Sequence, residues 1–186
     1  MTFPLDLGGG AELRMLEPRH AGELLEFTAA NREYLAEWLD WARTMETLDD
    51  AERFLARAAE RYEEDGLPWL GIWLDGRMAG GILFFPINRH ARSTDVGYWL
   101  GAGAAGRGLM TKALTAALDY VFEEVGLNRV GLMAAVENER SRAVAERVGF
   151  TFEGVLRESW PLRGELVDNA LYSMLAREWP EKRPHS

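Results

Sequence analysis

Apolar and polar positions alternate through AELRML, residues 11–16, and that period of two predicts a first strand. Ahead of it, residues 1–10 carry the run Gly8–Gly10 and read as a loose leader. The period then lengthens. In EPRHAGELLEFTAANREYLAEWLDW, Leu24 and Phe27, then Leu35, Trp38 and Leu39, recur at helical spacing, with a break expected near Asn31. Thr47 opens a second helical stretch reaching about Asp65. Asp49 and Asp50 stand in its first turn, where acids suit the helix dipole, and Phe54, Leu55, Ala58 and Tyr62 share its apolar face.

The middle of the chain changes period again. LPWLGIWL and RMAGGILFF flank Asp75-Gly76, the signal of a β-hairpin. STDVGYWL is a further strand and runs straight into the glycine-rich segment GAGAAGRG. From Gly108 to Val125 the pattern is helical. Leu109, Ala113, Ala116 and Tyr120 form the apolar stripe, and Lys112, Thr115, Asp119 and Glu123 the polar one. RVGLMAAV predicts a strand, NERSRAVAERVG a short helix, and FTFEGVLRES and NALYSMLA two last strands; EWPEKRPHS reads as a frayed tail. The expectation is one mixed α/β domain over residues 11–179, between a leader (1–10) and a flexible tail (180–186).

Composition narrows the chemistry. The 186 residues carry 30 acidic and 21 basic side chains, a net charge of −9, which argues against nucleic-acid binding through phosphate neutralisation. There is no cysteine, so a Cys nucleophile, thiolate metal sites and disulfides are excluded. His20, His90 and His185 show no metal-ligand spacing, and no metal is expected. The first residues lack the basic and apolar regions of a secretory signal, and no apolar run is long enough to cross a bilayer, so a cytoplasmic protein without a membrane partner is expected.

Gly101, Gly103 and Gly106 spell G-x-G-x-x-G, the dinucleotide-binding fingerprint. Its context is wrong. The preceding strand is not a continuous aliphatic run, the acidic residue due about 20 positions later falls at a helix end rather than a strand end, and repeated β-α units do not follow. A P-loop is excluded as well, because no Gly-Lys-Ser/Thr follows. What remains is a glycine turn at a helix start, whose unpaired N–H groups and dipole favour a phosphate-like anion; the plain alternative is an ordinary turn and helix start.

Four segments in order resemble the GNAT superfamily of acyl-CoA N-acyltransferases, in its RimJ/RimL-like branch of ribosomal-protein amino-terminal acetyltransferases. They are GAAGRG, VENERSRAVAERVGF, LRMLEPRH…NREYLAEWLDW and EGVLRESWPLRGELVDNALYSML. The chain departs from that signature at Gly103, where the family has Gln or Arg. The resemblance implies a mostly antiparallel central sheet flanked by helices and acetyl-CoA as acyl donor. It implies that Trp99, Leu100 and Gly101 end a splayed strand with a backbone N–H facing the thioester carbonyl. Amides from Gly106 through Arg107, Gly108, Leu109 and Met110 to Thr111 would hold the pyrophosphate, and Asn138 the pantetheine arm; for Asn138 a helix N-cap is the plain reading, compatible with the first.

The same resemblance makes Ser141 the proton donor to the leaving thiolate; an exposed first-turn serine is the alternative. Trp160 stands where some relatives carry a carboxylate, so Asp95 becomes the substitute base, acting through a water, with pairing to a basic side chain as its alternative and Glu158 behind it. Asn31 and Trp38, in NREYLAEWLDW, together with Trp160, are expected to wall the acceptor site; for the first two an amphipathic core helix is the alternative. The acceptor expected is a protein or peptide α-amine, whose ordinary pKa of about 7.7–8.0 calls for little base assistance. Alternatives are a small-molecule amine and a non-catalytic acyl-CoA sensor; a homodimer is left open.

Overall fold

The computed structural model describes residues 3–184. Its strands, β1 (Leu5–Gly8), β2 (Ala11–Met15), β3 (Leu70–Leu74), β4 (Arg77–Phe84), β5 (Ser93–Leu100), β6 (Arg129–Ala135), β7 (Thr151–Leu162) and β8 (Glu165–Leu175), are hydrogen-bonded in the order β1-β2-β3-β4-β5-β6-β8-β7. Strand β2 is antiparallel to β1 and to β3, β4 to β3, and β8 to β6 and to β7, whereas β5 and β6 run parallel. This is the mixed, mostly antiparallel sheet with helices that the sequence implies. The chain divides into two compact units: one runs through Leu83 and includes Tyr98–Leu109, the other holds Phe84–Gly97 and the chain from Met110 onward. No helix among the described residues is long and apolar enough to cross a membrane.

The first unit contains β1 (Leu5–Gly8), β2 (Ala11–Met15), β3 (Leu70–Leu74) and most of β4 (Arg77–Phe84), with helices α1 (Ala21–Ala36), α2 (Asp40–Thr44) and α3 (Leu48–Asp65). The supposed leader therefore contains a strand: Leu5 pairs with Leu13 and Asp6 with Glu12, and Gly8, Gly9 and Gly10 all take positive φ to turn the chain back. The β3–β4 turn carries Asp75 at φ 49° and Gly76 at φ 76°, the left-handed pair that a two-residue hairpin needs.

Helix α1 runs unbroken through Asn31, contrary to the expected break. No Gly or Pro interrupts it there, and the Asn31 side chain donates to the Phe27 carbonyl one turn back (2.9 Å). The interruption comes at Leu39, whose backbone is extended. Helix α3 starts at a capping box: Thr47 accepts from the Asp50 amide (3.2 Å) while the Asp50 carboxylate takes the Thr47 amide (2.8 Å) and hydroxyl (2.7 Å). Those bonds from Thr47 hold the Asp50 carboxyl down at about 2. Phe54, Leu55 and Ala58 are buried as the spacing predicts, together with Ala51, whereas Tyr62, one turn further, is exposed.

The second unit contains most of β5 (Ser93–Leu100), β6 (Arg129–Ala135), β7 (Thr151–Leu162) and β8 (Glu165–Leu175), with helices α4 (Leu109–Asp119), α5 (Glu139–Val148) and α6 (Trp179–Lys182). The last two strands are longer than predicted, because Arg163 (φ 56°) and Gly164 (φ 83°) make a second two-residue hairpin turn that the polarity of the segment concealed. Helix α4 continues as a π-helical turn, Tyr120–Val125, closed by left-handed Gly126.

Two expectations fail together near the end of α4. Asp119, assigned to a solvent-facing stripe, is buried, and EWP, assigned to a frayed tail, forms α6 with Trp179 buried. Asp119 accepts from Trp179 Nε1 (2.9 Å) and from Arg183 Nε (2.7 Å) and Nη2 (2.6 Å), tying the tail down. His185 and the final serine lie outside the described residues.

Candidate active site

The end of β5 is fixed in the first unit by its own aromatic side chain. Trp99 is buried, edge-on to Trp41 (5.4 Å between ring centres) and to Phe54 (6.2 Å). Two glycines of β4 make room for it: a Cβ on Gly80 would collide with the Trp99 carbonyl oxygen, and one on Gly81 with the indole. The Trp99 side chain is thus a core group, and any ligand contact from this residue is through its backbone.

Backbone directions along β5 follow from two hydrogen bonds. Phe85 N–H donates to the Asp95 carbonyl (2.9 Å), and Gly101 N–H donates to the Ala79 carbonyl (2.8 Å). Odd-numbered residues of β5 therefore turn their backbone groups to one edge, and by the two-residue alternation Leu100 turns its groups to the other edge. That other edge is where Ser93–Val96 pair with β6, in a register that ends at Val96↔Leu132 while β5 continues to Leu100. The Gly101 amide, one of three expected to face a ligand, is already used by Ala79.

After Gly101 come a 3₁₀ turn, Ala102–Ala104, and then two left-handed glycines, Gly106 (φ 77°) and Gly108 (φ 72°), immediately before α4. A Cβ built on either would meet nothing within 4 Å. The conformation thus favours glycine, and a Cβ-free turn immediately before a helix start lets an anion approach the first amides of α4 closely. Arg107 is exposed, whereas Leu109 and Met110 are buried and offer only their amides. In the second unit Thr111 Oγ1 accepts from Arg147 Nη1 (3.3 Å).

Asn138 caps α5: its Oδ1 accepts the Ser141 amide (3.1 Å). The turn that carries both residues is braced from behind. Val136 N–H donates to the Asp168 carbonyl (3.0 Å), and the Val136 carbonyl accepts from Arg142 (3.0 Å), whose Nε also donates to the Tyr172 hydroxyl (3.1 Å). The Asp168 carboxylate accepts the Glu158 amide (2.8 Å) across a bulge in β7 that holds Glu158 at φ 47°, a conformation uncommon outside glycine. Asp168 and Arg142 lie within segments that carry the family resemblance, but nothing local marks them out, because their partners Glu158, Val136 and Tyr172 are supplied by the turn and by strand pairing.

Asp95 lies opposite Gly131 on β6, and a Cβ there would collide with its Oδ1. Burial pushes its carboxyl above the usual range, partly opposed by Arg129. Arg129 itself is committed to Glu153 (2.8 and 2.6 Å), and that ion pair, with a bond from Ser173, holds the Glu153 carboxyl down at about 2. Of the expected acceptor-site residues, Trp160 is exposed (47%), Trp38 is half-buried, and Asn31 has both ends of its side chain engaged, by Phe27 and by the Ala102 amide (3.0 Å). No group of three or more His, Asp or Glu side chains that could hold a metal occurs among the described residues.

Comparison with known proteins gives a consistent answer. Residues 11–151 match the family described as the acetyltransferase (GNAT) domain. The chain is 36% identical over 168 residues to YdaF of Bacillus subtilis (strain 168), covering 90% of this chain and 92% of that one. It is 24% identical over 175 residues to the ribosomal-protein-serine acetyltransferase of Escherichia coli (strain K12), covering 94% and 98%. In fold it resembles RimL, a ribosomal L7/L12 α-N-protein acetyltransferase solved in complex with coenzyme A. That TM-score is 0.87 at 24% identity, over 92% of this chain and 97% of the other.

Proposed function

Because the chain belongs to the GNAT acetyltransferase family, we propose that it transfers the acetyl group of acetyl-CoA directly to a primary amine, the α-amine of a protein or peptide. The observation that carries this reading is the glycine loop: two left-handed glycines with vacant space beside them, placed directly at the start of α4. The partial positive charge of a helix start and the first unpaired amides of α4 suit a pyrophosphate. Membership of an enzyme family sets aside the non-catalytic sensor.

In this reading the amine nitrogen attacks the thioester carbonyl carbon, the C–S bond breaks, and the thiolate of coenzyme A takes a proton while the new amide sheds one. The Leu100 N–H receives the developing oxyanion. Its support is the alternation along β5, which turns Leu100 away from the edge that Ala79 occupies. The amides from Gly106 to Thr111 hold the pyrophosphate, with Arg107 beside them. Asn138 has its oxygen committed to the cap and offers Nδ2 to the pantetheine arm, and Ser141 gives the thiolate its proton. Trp160 and Trp38 contact the acceptor.

Asp95 has a different part. Its neighbours, Arg129 and Gly131, are a structural cation and a strand glycine. We assign it to the charge network under β6 rather than to base catalysis. An α-amine is about one-tenth neutral at pH 7, so deprotonation by solvent suffices, whereas a lysine side chain, neutral at about 0.04%, would need a dedicated base.

The test is release of free thiol from acetyl-CoA against a panel of peptides with free amino termini, the same peptides N-blocked but carrying lysine, and small amines. Turnover restricted to free α-amines is the expected result. Turnover with small amines alone would transfer the function to that class, and coenzyme A failing to bind by calorimetry would remove it.

A further inference from the structure

Asn31 sits in the middle of α1, where its side chain has no capping duty. Its Nδ2 donates to the Phe27 carbonyl (2.9 Å), and this bond orients the amide so that Oδ1 points away from its own helix. Oδ1 accepts the N–H of Ala102, 71 residues along the chain (3.0 Å). Ala102 is the first residue of the 3₁₀ turn Ala102–Ala104, and the opening amides of a helical turn have no acceptor within it. Asn31 therefore does for this turn what a cap residue does, from a different element. The residue before the turn is fitted to the same contact: a Cβ on Gly101 would stand 2.9 Å from Asn31 Oδ1 and 2.9 Å from the Phe27 ring, so glycine is what lets α1 approach the strand end.

We propose that Asn31 is a positioning residue for the acyl-donor site, a latch that holds the segment from Leu100 to Ala105 in place and with it the amides of the glycine loop that follows. The inference rests on the acetyl-CoA reading above. It departs from the expectation that Asn31 touches the amine acceptor, since one Nδ2 hydrogen and one Oδ1 lone pair of its side chain are used within the protein.

Ala102→Pro breaks the same latch from the other side. Proline deletes the one N–H that Asn31 accepts, at the first position of a helical turn, where proline is well tolerated. The residue before a proline must be extended, and Gly101 already is (φ −67°, ψ 151°). The experiment is a double-mutant cycle of Asn31→Ala and Ala102→Pro. It is read as the calorimetric Kd for coenzyme A and as separate KM values for acetyl-CoA and amine, with thermal unfolding of each variant to establish folding.

One hydrogen bond of about 1 kcal/mol corresponds to about fivefold in affinity. Asn31→Ala is expected to weaken coenzyme A binding and raise the acetyl-CoA KM about fivefold, with the amine KM unchanged. In the Ala102→Pro background the same substitution should change neither. Equal effects in both backgrounds, or an unchanged coenzyme A Kd, would overturn the latch. A rise confined to the amine KM would return Asn31 to the acceptor site. If the unsubstituted chain fails to bind coenzyme A, the functional reading falls and the latch falls with it; if it binds and the cycle is additive, only the latch falls.

Discussion

Gly106 allows the cost of a backbone conformation to be separated from the cost of blocking a ligand. The residue is at φ 77°, and nothing lies within 4 Å of where a Cβ would be. Gly106→Ala therefore meets no clash in the free protein and costs only the left-handed strain of an L-residue, about 1–2 kcal/mol. For a chain of 186 residues that corresponds to a fall in Tm of roughly 2–8 °C. Gly106→Asn should lose less, because asparagine tolerates this region. Both put a carbon in the space proposed for the pyrophosphate. If that carbon prevents even one charge-assisted bond from a loop amide, worth about 1.5–3 kcal/mol, acetyl-CoA affinity falls roughly tenfold to a hundredfold. Gly106→Val adds a branched side chain and should be worst in both respects. The assay pairs calorimetric titration of acetyl-CoA with thermal unfolding of the free variants. Gly106→Asn is decisive: a small change in Tm with a large loss of affinity is expected. An affinity that merely follows Tm across the three variants, or does not change, would refute the assignment of this loop to the acyl donor.

Ser141→Ala should lower kcat by about tenfold to a hundredfold, less than a full general-acid contribution because water can replace the donor, with acetyl-CoA affinity within about twofold; stopped-assay turnover and calorimetry check this. Asp95→Asn should leave turnover intact and leave Tm at pH 7 unchanged or slightly raised. Burial lifts the folded-state carboxyl above its unfolded value, so the stability linked to this group is present when it is protonated and lost as pH rises through the folded value. Melting curves from acid to neutral pH should show any advantage of the Asn variant shrinking toward low pH. Asp119→Ala leaves Trp179 Nε1 buried without an acceptor, while Arg183, 42% exposed, can rehydrate. The expected loss is about 2–3 kcal/mol, or roughly 5–10 °C in Tm, with Asp119→Asn near half of that.

The residues that organise the proposed donor site were legible in the sequence where local chemistry alone dictates structure. Gly106 and Gly108 take a left-handed φ that favours glycine, Asn138 caps the helix that begins at the next residue, and Thr47 with Asp50 starts α3 by bonds spanning three residues. Such features are complete within one turn, so a linear reading captures them. The β3–β4 hairpin was legible for the same reason, since Asp75-Gly76 fixes its own turn.

What escaped depends on partners distant in the chain. Polar Asp119 reads as a surface residue until Trp179 and Arg183, some 60 positions later, take up its oxygens and bury it. Asn31 reads as a helix breaker or a ligand, and the N–H its oxygen accepts comes from Ala102, far along the chain. Asp95 reads as a base or as the partner of a basic side chain, and only the pairing of β5 with β6 sets it over Gly131 and beside Arg129. In each case the side chain is ambiguous in itself, because a carboxylate or amide in water and one satisfied inside the protein have the same sequence. Periodicity and turn residues determine which segments become strands and helices; the supply of hydrogen-bond partners, which only tertiary contacts create, decides whether a polar group is solvent-facing, structural or catalytic.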